Sequence, residues 1–547
     1  MEFKKRLDEV IAGIPQPFIN PARRVLIKQA VQNREALVSA SGALATWTPP
    51  ESTGRSPKDT LTVRRDEIVA DIDWDSPNNL PLEPDTFDMI VADALDLLKA
   101  KERVFVSDRV VGADSSYALS VRTVSDRAIT ALFADTMFRP VPADIAKSIF
   151  ARTPFTMVVL PYDKLDKKRY AGRLRKLADG TASDMVVAMD FVNHLGVIVG
   201  SAYMGSVKKL MFTVMNYLLP GQGILPLHTS ANEAPDGGIS LFLGLSGTGK
   251  TTLAADPIRS LLGDDEHGWS DKGIANFEFG CYAKLINLNP AKEPEIYRAI
   301  MHEAGVLKHG AIVENALIYP NGHFDFFDSR LTENSRGSFP LRFLANTKKS
   351  SKGGHPRVIL FLTADANGVL PPVARLDQDQ AMFWFLMGYT SKLAGTETGV
   401  KEPSSTFSRF FGQPFMPRNP DVYATMLGEK LRRHNSQVFL VNTGWSGGPY
   451  GEGRRMDIHV TRAIVNAALS GELQKVAYDT DPLFHIQVPR SCPGVPADIL
   501  HPANTWKDKD AFQARARKLA AEFNASFAKS YGNKNIPAAI CKQCPGQ

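Results

Sequence analysis

The 547-residue sequence predicts an α/β protein, and two observations predict it. An apolar run at 239–243 leads into a glycine-rich loop and then into a segment from Thr251 that can open a helix. Amphipathic stretches at helical spacing alternate along the chain with short, strand-like apolar runs. The length suffices for two large domains or three modest ones, each with its own core.

The segment 241–269 organises the rest. Gly244, Gly249, Lys250 and Thr251 fit the phosphate-loop spacing G-x-x-x-x-G-K-[ST]. Glycines let backbone N–H groups turn inward around a polyphosphate, and the following helix N-terminus adds positive potential. Lys250 supplies a point charge, and the Thr251 hydroxyl suits Mg²⁺. A further strand is expected over 258–262, ending at Asp264 and Asp265. Two adjacent carboxylates flanked by Gly263 and His267 suit a hard divalent cation close to a nucleotide.

In chain order, residues 1–40 read as helical, with Pro21 at a first helical position and Val25, Leu26, Ala30 and Val31 on the apolar side. Residues 53–59 form a polar loop around Arg55. Residues 85–101 read as an amphipathic helix through Phe87, Ile90, Val91, Ala94, Leu97 and Leu98. Strands are expected at 104–106, 155–160, 311–319, 358–362 and 438–441. A helix-like run at 380–392 precedes a Gly-rich polar segment, 395–403, with the composition of a lid. A closing helix is expected over 509–529, with Phe512, Ala516, Leu519, Ala520, Phe523 and Phe527 on one face.

Composition narrows the function classes. Apolar content of 44% and charged content of 22% are ordinary for a globular enzyme. A net charge of +6 forms no basic block, so neither nucleic acid nor a membrane surface is an expected partner. The most apolar window, 185–199, is interrupted by Asp190, Asn193 and His194 and is too short to span a bilayer. With no apolar signal core behind the first basic residues, a cytoplasmic location is expected. Four cysteines do not make a disulfide framework, and Cys541 with Cys544 is expected to lie in a frayed, reduced tail.

Together the motifs closely resemble the ATP-dependent phosphoenolpyruvate carboxykinase family. The loop 244–253 looks like the ATP class rather than the cysteine-containing GTP class. Residues 263–269 look like the family's second kinase motif, and 215–217 through 228–232 like its signature segment. Segments 55–59, 363–365 and 393–397 also match. The resemblance implies an N-terminal mixed α/β substrate domain (1–224), a C-terminal phosphate-loop nucleotide domain (225–547) and an active site in the cleft between them. It implies conversion of oxaloacetate and ATP to phosphoenolpyruvate, ADP and CO₂, a reaction of gluconeogenesis, in a monomer or homo-oligomer.

Carried over residue by residue, the resemblance implies that Lys209, His228 and Asp265 hold Mn²⁺ and Thr251 the nucleotide's Mg²⁺. Arg55 binds the substrate carboxylate, and Tyr203 orients the carboxylate that leaves as CO₂. Lys208 and Arg336 line the path to the γ-phosphate, and Lys250 and Asp264 complete the catalytic set. Ser246, Gly247, Thr248, Gly249, Lys250, Thr251 and Thr252 cradle ATP, with Arg455 and Thr461 beside the adenine.

This sequence departs from the family pattern in three places. Ala202, Met204 and Ser206 replace the usual neighbours of Tyr203, Gly221-Gln222 replaces a lysine-bearing step, and Thr229 replaces a cysteine. The departures give the alternatives: an ATP-binding paralogue with a different acceptor, or one that binds ATP without turnover.

Overall fold

A computed structural model describes residues 2–245, 247–301, 310–392 and 403–546. Its contacts divide the chain into two compact units. The first comprises residues 1–218 and 276–347, the second 219–275 and 348–547. The single cut expected at 224/225 is therefore not the partition observed, because residues 276–347 group with the N-terminal part. The physical reason is strand pairing. Ile312–Glu314 lies parallel to Leu44–Thr46, inside a five-stranded sheet completed by Gly280–Lys284, Arg336–Pro340 and Leu37–Val38.

The first unit also holds an eight-stranded mixed sheet. Its central strands Phe155–Leu160, Leu195–Val199 and Val186–Asp190 are buried throughout, as expected for strands covered on both faces. The apolar window noted in the sequence is the antiparallel pair of the last two. Helix Pro84–Lys99 begins on a proline whose fixed φ suits the first turn, and it buries Phe87, Ile90, Val91, Ala94 and Leu98. The expected 1–40 helix resolves into Glu2–Gly13 and Arg23–Gln32, with strand Gln16–Ile19 between them. Pro21 precedes the second helix rather than opening it, and Leu26, Ile27 and Ala30 form its buried side.

The second unit is built on an eleven-stranded sheet. At its centre Ile239–Gly244, Pro356–Thr363 and Gln437–Asn442 run parallel, so their C-terminal ends share one edge. The strand expected at 258–262 forms over Ser260–Gly263, leaving Ile258 outside it and exposed. The run 380–392 divides into helix Gln378–Met387 and strand Tyr389–Lys392, parted by Gly388 at φ +54°. Helix Lys509–Tyr531 turns Ala516, Leu519, Ala520 and Phe523 into the core. Ile540 and Cys544 pack into that core too, so the Cys541/Cys544 segment is not frayed. Burial pushes the Cys544 thiol up to about 11, which holds it protonated and unreactive. No helix among the described residues is long and apolar enough to cross a membrane.

Candidate active site

In the second unit, strand Ile239–Gly244 feeds the loop, and helix Lys250–Ala254 follows it. The helix is only five residues long, shorter than the sequence suggests, because Ala255 turns to extended backbone ahead of Pro257. Gly249 caps its start at φ +89°, a conformation costly for any residue with a Cβ. Arg455 and Thr443 brace the loop from outside. Arg455 donates from Nη2 to the Gly247 carbonyl (3.2 Å) and from Nε to the Thr443 carbonyl (3.2 Å). Thr443 Oγ1 donates to the Thr248 carbonyl (3.3 Å). Ser246 and most of the 395–403 segment lie outside the described residues. Thr252 lies in the helix, whereas Thr461 is buried with its hydroxyl donated to Asp457 O of its own helix (3.4 Å).

Asp264 and Asp265 join strands Ser260–Gly263 and Glu266–Ser270. Thr251 Oγ1 donates to Asp264 Oδ2 (3.1 Å), which ties the helix start to the first carboxylate. Ser230 Oγ donates to the Asp264 backbone carbonyl and to its Oδ1 (3.1 Å). Asp265 Oδ1 lies 2.7 Å from Lys250 Nζ and 3.1 Å from His228 Nε2. Lys250 Nζ is also 3.4 Å from that Nε2. His267 turns the other way, buried with Nδ1 2.8 Å from the Thr229 carbonyl.

The tautomer of His228 follows from its second partner. Its Nδ1 lies 2.6 Å from the Phe411 carbonyl oxygen, which can only accept. Nδ1 therefore carries a proton, and Nε2 is the nitrogen that faces Asp265. The Lys250 ammonium lies beside both atoms, 2.7 Å from Asp265 Oδ1 and 3.4 Å from His228 Nε2. A nitrogen and a carboxylate oxygen so arranged also fit a divalent ion of the Mn²⁺ type. The carbonyl that fixes the imidazole was not legible in the sequence. It depends on left-handed backbone at Phe410 (φ +62°) and Phe411 (φ +54°), unusual for bulky residues.

The first unit gathers a second constellation. Helix Gly205–Leu218 carries Lys208 and Lys209, about 100° apart around its axis. Lys208 Nζ lies 2.8 Å from Glu278 Oε1, both side chains almost fully buried. Lys209 Nζ lies 4.8 Å from the centroid of the Phe212 ring. Tyr203 sits across from Gly205, where a Cβ would come within 2.3 Å of the tyrosine ring. That glycine gives Tyr203 its place against Tyr282, 5.9 Å between ring centroids.

Arg336 lies over the Tyr282 ring at 5.8 Å and donates from Nη2 and Nε to Asn334 Oδ1 (2.7 and 3.0 Å). Asn334 donates in turn to the Thr53 carbonyl (2.9 Å), which connects Arg336 to the loop carrying the exposed Arg55. A bidentate Arg175–Asp59 pair (2.9 and 2.7 Å) anchors the far end of that loop.

Sequence reasoning missed Glu314, which completes this group. Its carboxyl accepts from Met204 N (3.1 Å) and from the Tyr282 hydroxyl. Burial pushes its pKa up to about 7, against the lowering effect of those two bonds and of Arg336. The folded carboxyl thus holds a proton that the unfolded one, with the ordinary carboxylate value of 4.5, has released. Stability falls as pH rises from about 4.5 to 7, by an upper bound of about 3 kcal/mol, and is flat above that window. The difference in stability between the parent and Glu314→Gln should change across those pH values. A difference that stays constant from pH 4 to 8 would refute the assignment.

The phosphoenolpyruvate carboxykinase family model matches residues 16–498. Phosphoenolpyruvate carboxykinase (ATP) 1 of Moorella thermoacetica is 47% identical, covering 94% of each chain. The phosphoenolpyruvate carboxykinase (ATP) of Thermus thermophilus is 46% identical over 94% of each chain. That of Rhizobium johnstonii is 47% identical over 98% of this chain and 96% of its own. With the phosphate loop, the paired carboxylates and the lysine pair all set in a match of this extent, the chain belongs to the ATP-dependent phosphoenolpyruvate carboxykinase family.

Proposed function

We propose that this protein converts oxaloacetate and ATP to phosphoenolpyruvate, ADP and CO₂, as an enzyme of gluconeogenesis acting in the cytoplasm. The observation that carries the reading is the convergence of Lys250, His228 and Asp265 beside the phosphate loop. We assign the substrate to the first unit and the nucleotide to the second. His228 and Asp265, with Lys209, would hold Mn²⁺, and Thr251 the Mg²⁺ of the nucleotide. When bound, these cations supply charge neutralisation for an enolate and for a polyphosphate.

The chain's own groups do the rest. Arg55 binds one substrate carboxylate, and Tyr203 orients the one that leaves. Breaking the carbon–carbon bond releases CO₂ and leaves its electron pair as an enolate. The enolate oxygen attacks the γ-phosphorus, and the bond from that phosphorus to the β,γ-bridging oxygen breaks. Lys250, Lys208 and Arg336 answer the charge on the transferring group, and Asp264 orients the Thr251 hydroxyl. Ser246, Gly247, Thr248, Gly249 and Thr252 cradle the nucleotide, with Arg455 and Thr461 toward its base.

Phosphorus NMR of protein incubated with ATP, oxaloacetate, Mg²⁺ and Mn²⁺ tests this reading. ADP and phosphoenolpyruvate should grow together, with little turnover when GTP replaces ATP. ATP consumption that yields only inorganic phosphate, or phosphorylates another acceptor, would favour the paralogue reading set out for the departures at Ala202, Met204 and Ser206.

A further inference from the structure

A cleft of about 410 Å³ opens in the second unit where strand Gln437–Asn442 begins and strand Val373–Leu376 ends. The phosphate loop leaves this sheet at the opposite edge. Gly244 aligns with Leu362, which aligns with Val441. From Gln437 to Asn442 the strand runs about 17 Å, so the cleft is a separate place on the same sheet.

Two arginines line it, Arg375 and Arg432. Arg375 is held rigidly. Its guanidinium stacks 4.0 Å from the Tyr478 ring centroid, and its Nε and Nη2 both donate to Gln487 Oε1. Among the described residues Nη1 meets no acceptor, and Arg432 has neither a hydrogen-bond nor an ion-pair partner. The carboxylate on the lining is Asp377, whose Oδ1 is committed to capping helix Gln378–Met387 through Gln380 N (2.9 Å). Asn435 and Gln487 add amide groups to the wall. Two arginines and one carboxylate on the lining of one concavity leave a positive field, which an anion would neutralise. A pre-ordered guanidinium loses little entropy on binding an oxyanion.

We propose that this cleft binds a small dianionic oxyanion, a phosphate group or a dicarboxylate, at a site separate from the phosphate loop. Arg375 is its fixed anchor, and Arg432 closes on the ligand from helix Pro420–His434.

Calorimetric titration of the full chain, with MgATP present to fill the phosphate loop, tests the proposal. Inorganic phosphate and malonate are titrated separately, and the two arms distinguish a phosphate ligand from a dicarboxylate. At least one should bind saturably to the parent and about tenfold more weakly to Arg432→Gln, with a further loss in Arg375→Gln. Arg432 is exposed, so its replacement should leave the fold and the basal turnover unchanged. Absence of saturable binding by either anion overturns the proposal. So does binding that Arg432→Gln and Arg375→Gln leave unaltered, since the anion would then occupy the substrate or nucleotide site.

Discussion

Replacing Asp265 by Asn lowers phosphoenolpyruvate formation by about a thousandfold, about 4 kcal/mol of transition-state stabilisation. The size follows from how much converges on one oxygen. Asp265 Oδ1 holds the Lys250 ammonium at 2.7 Å and faces His228 Nε2 at 3.1 Å. The amide keeps the shape but loses the charge that positions the ammonium and would hold a divalent ion. The thermal midpoint should move little, since the Asp265 side chain retains 20% exposure and is not part of the apolar core. Asp271→Asn is the matched control. That carboxylate is 74% exposed and pairs with Lys430 and Arg433 at the surface, so turnover should stay within about twofold. Wild-type turnover in Asp265→Asn would sink the assignment.

Glu278→Gln destabilises the first unit by about 3–5 kcal/mol, because it removes the carboxylate that a buried ammonium faces. Lys208 and Glu278 retain 3% and 5% side-chain exposure and meet at 2.8 Å. Arg139 adds to the load on Glu278. Burial pushes the Arg139 pKa down to about 10, the Glu278 carboxylate opposes that fall, and among the described residues Arg139 Nε and Nη2 meet no hydrogen-bond partner. Removing the ammonium as well, in Lys208→Met with Glu278→Gln, should recover much of the loss. Urea unfolding of the two single variants and the double variant measures this. A Glu278→Gln chain within about 0.5 kcal/mol of the parent would show that the pair contributes no such constraint.

The contrast between these sites explains what the sequence reveals. The phosphate loop and Asp264-Asp265 are short-range features, in which glycine spacing and adjacent charges name the geometry directly. Helix Pro84–Lys99 and helix Lys509–Tyr531 are likewise legible, since their apolar spacing is the face they bury. Pairing partners are not encoded in period. Nothing in Ile312–Glu314 announces that it aligns with Leu44–Thr46, and so the return of residues 276–347 to the first unit was invisible. Glu314 and Glu278 look like ordinary strand and loop carboxylates until folding buries them. The Phe411 carbonyl has no side-chain signature at all, yet it decides which nitrogen of His228 is available. Cys544 was misjudged for the opposite reason. A polar, short-looking tail hid Ile540 and Cys544, which the core accepts.

The most direct measurement is a coupled assay of the purified protein with ATP, oxaloacetate, Mg²⁺ and Mn²⁺, run beside His228→Ala. The carboxykinase reaction requires equal amounts of phosphoenolpyruvate and CO₂ from the parent and a strong reduction in the variant. A parent protein that binds ATP yet makes no phosphoenolpyruvate with either ATP or GTP would contradict it.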